Sequence, residues 1–186
     1  DRIRKIPGYA PYFQRAFGGD DAVTLDHAAQ AIAAYERTLI TPNSAYDRYA
    51  KGEEKALTEQ QARGLNTFAE VGCTSCHQGA TFAGPKLPPG TGFFMKFPTY
   101  ADSPYVAKYD LLADQGRASA TGKAEDAHLW RVPTLRNLSY TAPYFHNGSV
   151  KSLDEAIRVM AKTQLNKELS TDEVKDIVVF LSALDG

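Results

Sequence analysis

The sequence predicts an all-α domain whose helices bracket a long irregular middle. Two observations carry this: apolar residues recur every three or four positions in separate stretches, and three Ser/Thr…Glu/Gln pairs stand where such stretches open. A third is that seven of the ten prolines fall within Gln78–Val150, where no clear periodicity survives. In Asp21–Ile40 the residues Leu25, Ala28, Ile32, Tyr35 and Leu39 share one helical face. Thr24 is placed to cap that helix and Thr41-Pro42 to stop it, so a helix over 22–40 is expected. The aromatics ahead of it (Tyr9, Tyr12, Phe13, Phe17) are many for a solvated leader and suggest packing against a further surface. Thr58…Gln61 opens a helix carrying Ala62, Leu65 and Phe68 that ends near Gly72. Ser152…Glu155 opens one with Leu153, Ala156, Ile157 and Met160, and Ser170…Glu173 opens the last, with Val174, Ile177, Val178, Phe180, Leu181 and Leu184.

Composition narrows the function classes. With 186 residues the chain holds one good-sized domain, or one with an attached arm. Lys and Arg number 21 against 22 Asp and Glu, a net charge of -1 that speaks against a general nucleic-acid binder. No apolar run approaches the ~18 residues of a membrane span. The start, Asp1-Arg2-Ile3-Arg4-Lys5, is charged and unlike a signal peptide. At 43% hydrophobic and 11% aromatic, the chain is expected to bury roughly two-thirds of its unfolded surface.

The two cysteines, Cys73 and Cys76, lie too close together for their disulfide to brace a fold. His77 follows at once, completing the C-x-x-C-H pattern of covalent haem attachment. Two thiols at this spacing add to the two vinyl groups on one porphyrin edge, and the short turn carries the next imidazole beneath the iron. A zinc site calls for a second ligand pair at similar spacing, and a thioredoxin-like pair for a βαβ pattern; neither is visible. A large buried cofactor also gives Gln78–Val150 a reason to stay folded, since ordinary connections run to ~4–6 residues. Gly64 and Phe68, four apart just before the motif, resemble the first helix of the class I cytochrome c fold, and Ile177, Phe180, Leu181 and Leu184 its last. The resemblance implies that these helices cross, in a class I cytochrome c-like domain with long irregular loops around a covalent haem.

The sixth iron ligand decides the chemistry. Methionine opposite histidine raises the potential and closes the iron, whereas an open position favours ligand binding or peroxide chemistry. Met160 is placed after a short amphipathic helix and before a polar turn, Ala161-Lys162-Thr163-Gln164; it reads equally as ligand or core filler. Met95, in Phe93-Phe94-Met95-Lys96-Phe97, reads as aromatic-packed filler, and His27 as a surface residue. His128 and His146 stay open as minor candidates. Arg131 and Arg136 suit either a haem propionate or a loop brace, and Trp130 reads as core packing. Lys108, Lys123 and Lys151 are scattered charges that suit a donor protein or plain solvation.

Two longer stretches carry a more specific likeness. Arg131-Val132-Pro133-Thr134-Leu135-Arg136-Asn137 through Thr141-Ala142-Pro143-Tyr144-Phe145-His146-Asn147-Gly148, and Ala31–Asp47, resemble the bacterial dihaem cytochrome c peroxidases over nearly the whole chain. That family pairs an N-terminal haem, where peroxide is reduced to water, with a C-terminal high-potential haem that takes electrons from a small cytochrome c or cupredoxin. The resemblance implies that 57–186 is the C-terminal haem domain and 1–56 a helical leader like the end of the preceding domain. It makes Cys73 and Cys76 the covalent anchors of one haem c, His77 the proximal ligand and Met160 the distal ligand, with one-electron transfer as the activity. It also implies calcium, held partly by the backbone carbonyls of Thr141 and Pro143 and partly by an asparagine outside this sequence. Further implications are a periplasmic location, a peroxidatic haem domain as partner and a homodimer of the intact enzyme. The parent is expected to be a peroxidase, and this chain by itself an electron carrier without catalytic residues.

The departure from the family is the single C-x-x-C-H. A natural monohaem carrier shares the site but has no partner domain. An open-iron peroxidase would respond to peroxide without help. Relatives that mature a tryptophan-derived cofactor use tyrosine where this chain has Met160.

Overall fold

The computed structural model describes residues 1–88 and 90–186 and divides into two compact units, 1–41 and 42–186. The first holds α1 (Tyr9–Phe17) and α2 (Leu25–Glu36). α1 stops at Gly18, whose φ of +72° lets its N–H return to the Gln14 carbonyl. Thr24 caps α2 as expected, its hydroxyl accepting from the His27 N–H at 3.0 Å. His27 itself is no free surface residue: its ring stacks on Phe17 at 4.2 Å and its Nδ1 lies 2.7 Å from the Ala22 carbonyl. α2 ends at Glu36 rather than running to residue 40. There the Thr38 hydroxyl bonds the Tyr35 carbonyl at 2.7 Å, a local alternative to the helical ladder. The apolar face read from the sequence forms only as far as Tyr35, and Leu25, Ile32, Tyr35 and Leu39 stand exposed.

The second unit is built on α4 (Glu59–Val71) and α8 (Thr171–Ser182). Both open with complete capping boxes, Thr58 with Gln61 and Ser170 with Glu173. They cross at Gly64, where a Cβ would meet the Asp176 carbonyl oxygen at 1.9 Å, so only glycine permits this approach. Phe68, Phe180, Ile177 and Leu181 fill the crossing with at most 3% exposure, and Gln60 Nε2 donates to Asp176 Oδ1 beside it. Lys167 donates to the Val71 carbonyl at 2.7 Å, a cation at the negative end of α4.

α3 (Ala45–Ala50) packs with this unit. Its own capping box joins Ser44 and Asp47, and the Tyr46 N–H donates to the Ala183 carbonyl at 3.0 Å, just past the end of α8. Residues 42–56, read from the sequence as the end of the leader, therefore pack against the crossing helices. Arg136 fastens α3 further: Nη1 and Nη2 donate to the two Asp47 carboxylate oxygens at 3.0 and 2.7 Å. The pair holds the Asp47 carboxyl below the usual carboxylate range.

The long middle is less irregular than its prolines suggest. β1 (Phe94–Lys96) pairs antiparallel with β2 (Leu129–Arg131), setting Met95 opposite Trp130. Between them lie the short α5 (Pro104–Lys108) and α6 (Ala118–Thr121). α7 (Leu153–Leu165) then crosses beneath this segment and receives it. The Thr163 carbonyl accepts the N–H groups of Thr99 and Tyr100, and Gln164 bridges the Lys96 carbonyl and the Thr99 N–H. Ala161–Gln164 is thus helix and not a polar turn, because α7 runs on until Asn166 takes a left-handed conformation. The box read at Ser152…Glu155 does not close: Glu155 accepts instead from the Tyr109 hydroxyl and from Lys108 Nζ at 2.9 Å. Phe97, Val106, Leu111, Tyr144, Val150 and Val159 form a second apolar cluster, distinct from the one around Phe68 and Phe180.

Gly64→Ala is expected to lower stability by about 3 kcal/mol, the cost of forcing two packed helices apart, read as a shift of the chemical denaturation midpoint. Asp47→Asn should cost roughly 2 kcal/mol at neutral pH, between a surface pair and a fully buried one. The folded-state pKa of Asp47 is depressed, so its contribution is complete above the ordinary value of 3.8 and fades as pH falls through the lower folded value. Denaturation curves of the two proteins should therefore converge in strong acid.

Candidate functional site

α4 delivers the Cys-His motif directly. Gly72, at φ +103°, turns the chain off the helix end and into a 3₁₀ turn over Cys73–Ser75. The Cys73 carbonyl then accepts the N–H groups of Cys76 and His77, at 3.3 and 2.9 Å. Cys73, Cys76 and His77 so emerge on consecutive faces of one tight turn, and all three line a cavity of about 580 Å³. That volume is in the range of small-molecule and cofactor sites.

The cavity lies between the two apolar clusters. Phe68 and Leu135 of the first wall it on the side of the motif, with Cys73 packed against that cluster. Phe97 and Tyr144 of the second wall it elsewhere, and Met160 packs with them. α7 contributes Leu153, Ala156, Ile157, Met160, Ala161 and Gln164, the three-and-four spacing of a single helical face. Met160 is mid-helix on that face. Met95, expected as filler, also lines the cavity from β1.

The donor chemistry fits a covalently held haem. Both thiols are free, and burial pushes the Cys73 thiol up to about 11. A reactive or redox cysteine shows the opposite shift from that of Cys73. Among the described residues no group of three or more His, Cys, Asp or Glu could hold a metal ion. Burial also lowers the pKa of His77, a shift toward the neutral imidazole that metal ligation uses. His77 Nδ1 lies 3.0 Å from the Phe82 carbonyl, and a ring nitrogen can bond a carbonyl only by donating an N–H. Nδ1 therefore carries the proton and Nε2 keeps its lone pair for a metal.

The remaining sequence candidates separate. His146 lines the cavity with its ring stacked on Trp130 at 4.1 Å and edge-on to Phe97; Trp130 Nε1 and His146 Nε2 are buried without a partner among the described residues. Burial holds the His146 pKa below its ordinary value. His128 is set apart, its Nδ1 3.1 Å from the Asp114 carbonyl. Arg131 and Arg136 both line the cavity, Arg131 exposed and Arg136 also bonded to the Ala80 carbonyl. Thr141 and Pro143 also line the cavity, with both residues exposed. Lys108 is engaged with Glu155, and Lys123 and Lys151 are exposed. Sequence reasoning missed Asp47 and the Phe82 carbonyl.

Comparison with known proteins gives the chain its family setting. The family described as Di-haem cytochrome c peroxidase matches residues 1–55. Cytochrome c551 peroxidase of Pseudomonas aeruginosa is 40% identical over 185 residues, covering 99% of this chain and 51% of the relative. Cytochrome c551 peroxidase of Nitrosomonas europaea is 37% identical over 184 residues, with the same coverage of 99% and 51%. Among solved structures, a MauG-like protein associated with microbial copper homeostasis superposes with a TM-score of 0.71 at 25% identity, over 99% of this chain and 60% of that one. The chain thus spans about half the length of the curated relatives it matches, and its mostly helical architecture is that of a cytochrome-like fold. On these matches the chain belongs to the di-haem cytochrome c peroxidase family, whose chemistry is haem-based redox.

Proposed function

We propose that this chain carries one haem c, anchored by Cys73 and Cys76 and ligated by His77 and Met160, and transfers single electrons. In that reading 57–186 is the electron-accepting domain of a dihaem cytochrome c peroxidase that reduces hydrogen peroxide to water, and 1–56 is like the end of the preceding domain. One observation carries it: the attachment cysteines, a histidine with its Nε2 free and a methionine all line the same largely apolar cavity.

Haem c, when bound, supplies an iron that accepts and releases one electron. The chain's own residues prepare for that in three ways. Cys73 and Cys76 tether the group, so a crevice open on one side need not hold it by packing alone. His77 is oriented in advance by the Phe82 carbonyl, and Met160 by its place on a packed helix, so neither ligand has to move with oxidation state. Phe68, Leu135, Phe97 and Ile157 exclude water, which limits reorganisation and raises the potential of a His/Met centre.

The wider reading follows the family. Electrons arrive from a small cytochrome c or cupredoxin and pass to a peroxidatic haem domain, in the periplasm, within a homodimer of the intact enzyme. Calcium at the carbonyls of Thr141 and Pro143 belongs to the same reading, with further ligands from outside this chain.

The ferric haem-loaded chain is expected to show a low-spin spectrum with the weak sulfur-to-iron charge-transfer band, unchanged by peroxide. Met160→Ala should abolish that band, lower the potential and admit external ligands. A high-spin wild-type spectrum that changes with peroxide would replace this reading with an open-iron peroxidase.

A further inference from the structure

We infer that Arg136, locked by Asp47, is a positioning residue for His77: it holds the 80–82 segment so that the Phe82 carbonyl receives the His77 Nδ1–H. The inference rests on the reading of His77 as the proximal ligand and goes beyond it, to what sets the electronic character of that ligand.

The acceptor is held in an unusual conformation. Phe82 has a φ of +54°, a left-handed backbone that large side chains rarely adopt. Such a residue persists only where its surroundings over-determine it. Its ring does part of this, 4% exposed and edge-on to Tyr46, Phe68 and Phe180 at 5.0, 6.3 and 6.0 Å.

The backbone is held separately, from the 134–136 segment. Arg136 Nε and Nη2 both donate to the Ala80 carbonyl, at 3.0 and 2.7 Å. The Thr134 hydroxyl and the Leu135 N–H donate to the Thr81 carbonyl, at 2.7 and 3.3 Å. The two carbonyls preceding Phe82 are thus fixed, which leaves the third aimed at His77. The guanidinium can do this because its fork faces two ways: one edge takes Ala80, the other the Asp47 carboxylate, with Nη1 also donating to the Ser44 hydroxyl at 3.0 Å. An ammonium has no such planar fork.

The consequence is electronic. An Nδ1–H donated to a carbonyl makes the imidazole a more basic ligand and favours the oxidised metal. Loosening the Phe82 carbonyl weakens that donation and favours the reduced state.

The test uses the haem-loaded chain and two readouts, the midpoint potential and solvent exchange of the His77 Nδ1 proton by NMR. Arg136→Gln should raise the equilibrium constant for reduction about tenfold, which is about 59 mV for one electron, and speed Nδ1 proton exchange about tenfold. Arg136→Lys keeps the charge but not the fork; it should fold and shift both readouts the same way by less. Ser170→Ala removes a distant cap and lowers stability, and should leave both readouts at wild-type values. Arg136→Gln and Arg136→Lys with unchanged potential and exchange, whatever happens to stability, would overturn the inference. Equal shifts in Ser170→Ala would do so as well, by reducing the effect to general destabilisation. Failure of the underlying reading is separate: it would show as a wild-type ferric spectrum lacking low-spin His/Met character.

Discussion

The contact between α4 and α8 at Gly64 is the constraint on which the rest of the second unit depends. With the Asp176 carbonyl occupying the space a Cβ would take, the helix axes come close enough for Phe68 and Phe180 to meet at 5.4 Å. α4 runs straight from that crossing into Gly72 and the Cys-His turn, so the position of both cysteines and His77 is inherited from the helix pair. α8 sends Ile177 and Leu181 into the cavity wall from the same crossing. A disturbance at Gly64 would therefore reach the attachment site through backbone, without any side chain of the site being touched.

The cavity itself is a seam between two cores. The cluster around Phe68, Phe82 and Phe180 packs with Cys73, and the one around Phe97, Val150 and Val159 packs with Met160. Leu138 and Leu153 pack against both, and α7 belongs to both, giving Ala161 and Leu165 to one and Ala156 and Val159 to the other. A flat cofactor inserted at such a seam buries both of its faces at once, which explains why the helices alone do not close the domain. Trp130 Nε1 and His146 Nε2, buried and without a partner among the described residues, sit at this seam rather than within either core.

Much of the first core was legible in the sequence, because its determinants are local. Thr58, Ser170 and Gly72 act within one turn of themselves, and the motif is contiguous over Cys73–His77. Gly64 was legible only through its likeness to a known crossing, since its role is set by a partner far along the chain. What stayed hidden was long-range or very short. Asp47 meets Arg136 across 89 positions, and nothing near either residue announces it. β1 and β2 have three residues each, too few to show an alternating period. Phe82 carries no local signal for a left-handed backbone, because burial of its ring and the bonds to its neighbours impose it. At Ser152 a valid local signal was overruled when Glu155 found stronger partners.

That overruling has a consequence for how the domain comes apart. α7 begins without a reciprocal cap, and its first turn is anchored instead by Tyr109 and Lys108 from the middle segment; its last turn holds that segment through Thr163 and Gln164. Helix and segment are consequently one cooperative unit, in which neither can fray while the other stays native. Amide protection along α7 should then equal that of the segment above it. Exposure of Met160 to solvent is thereby tied to the opening of this whole unit.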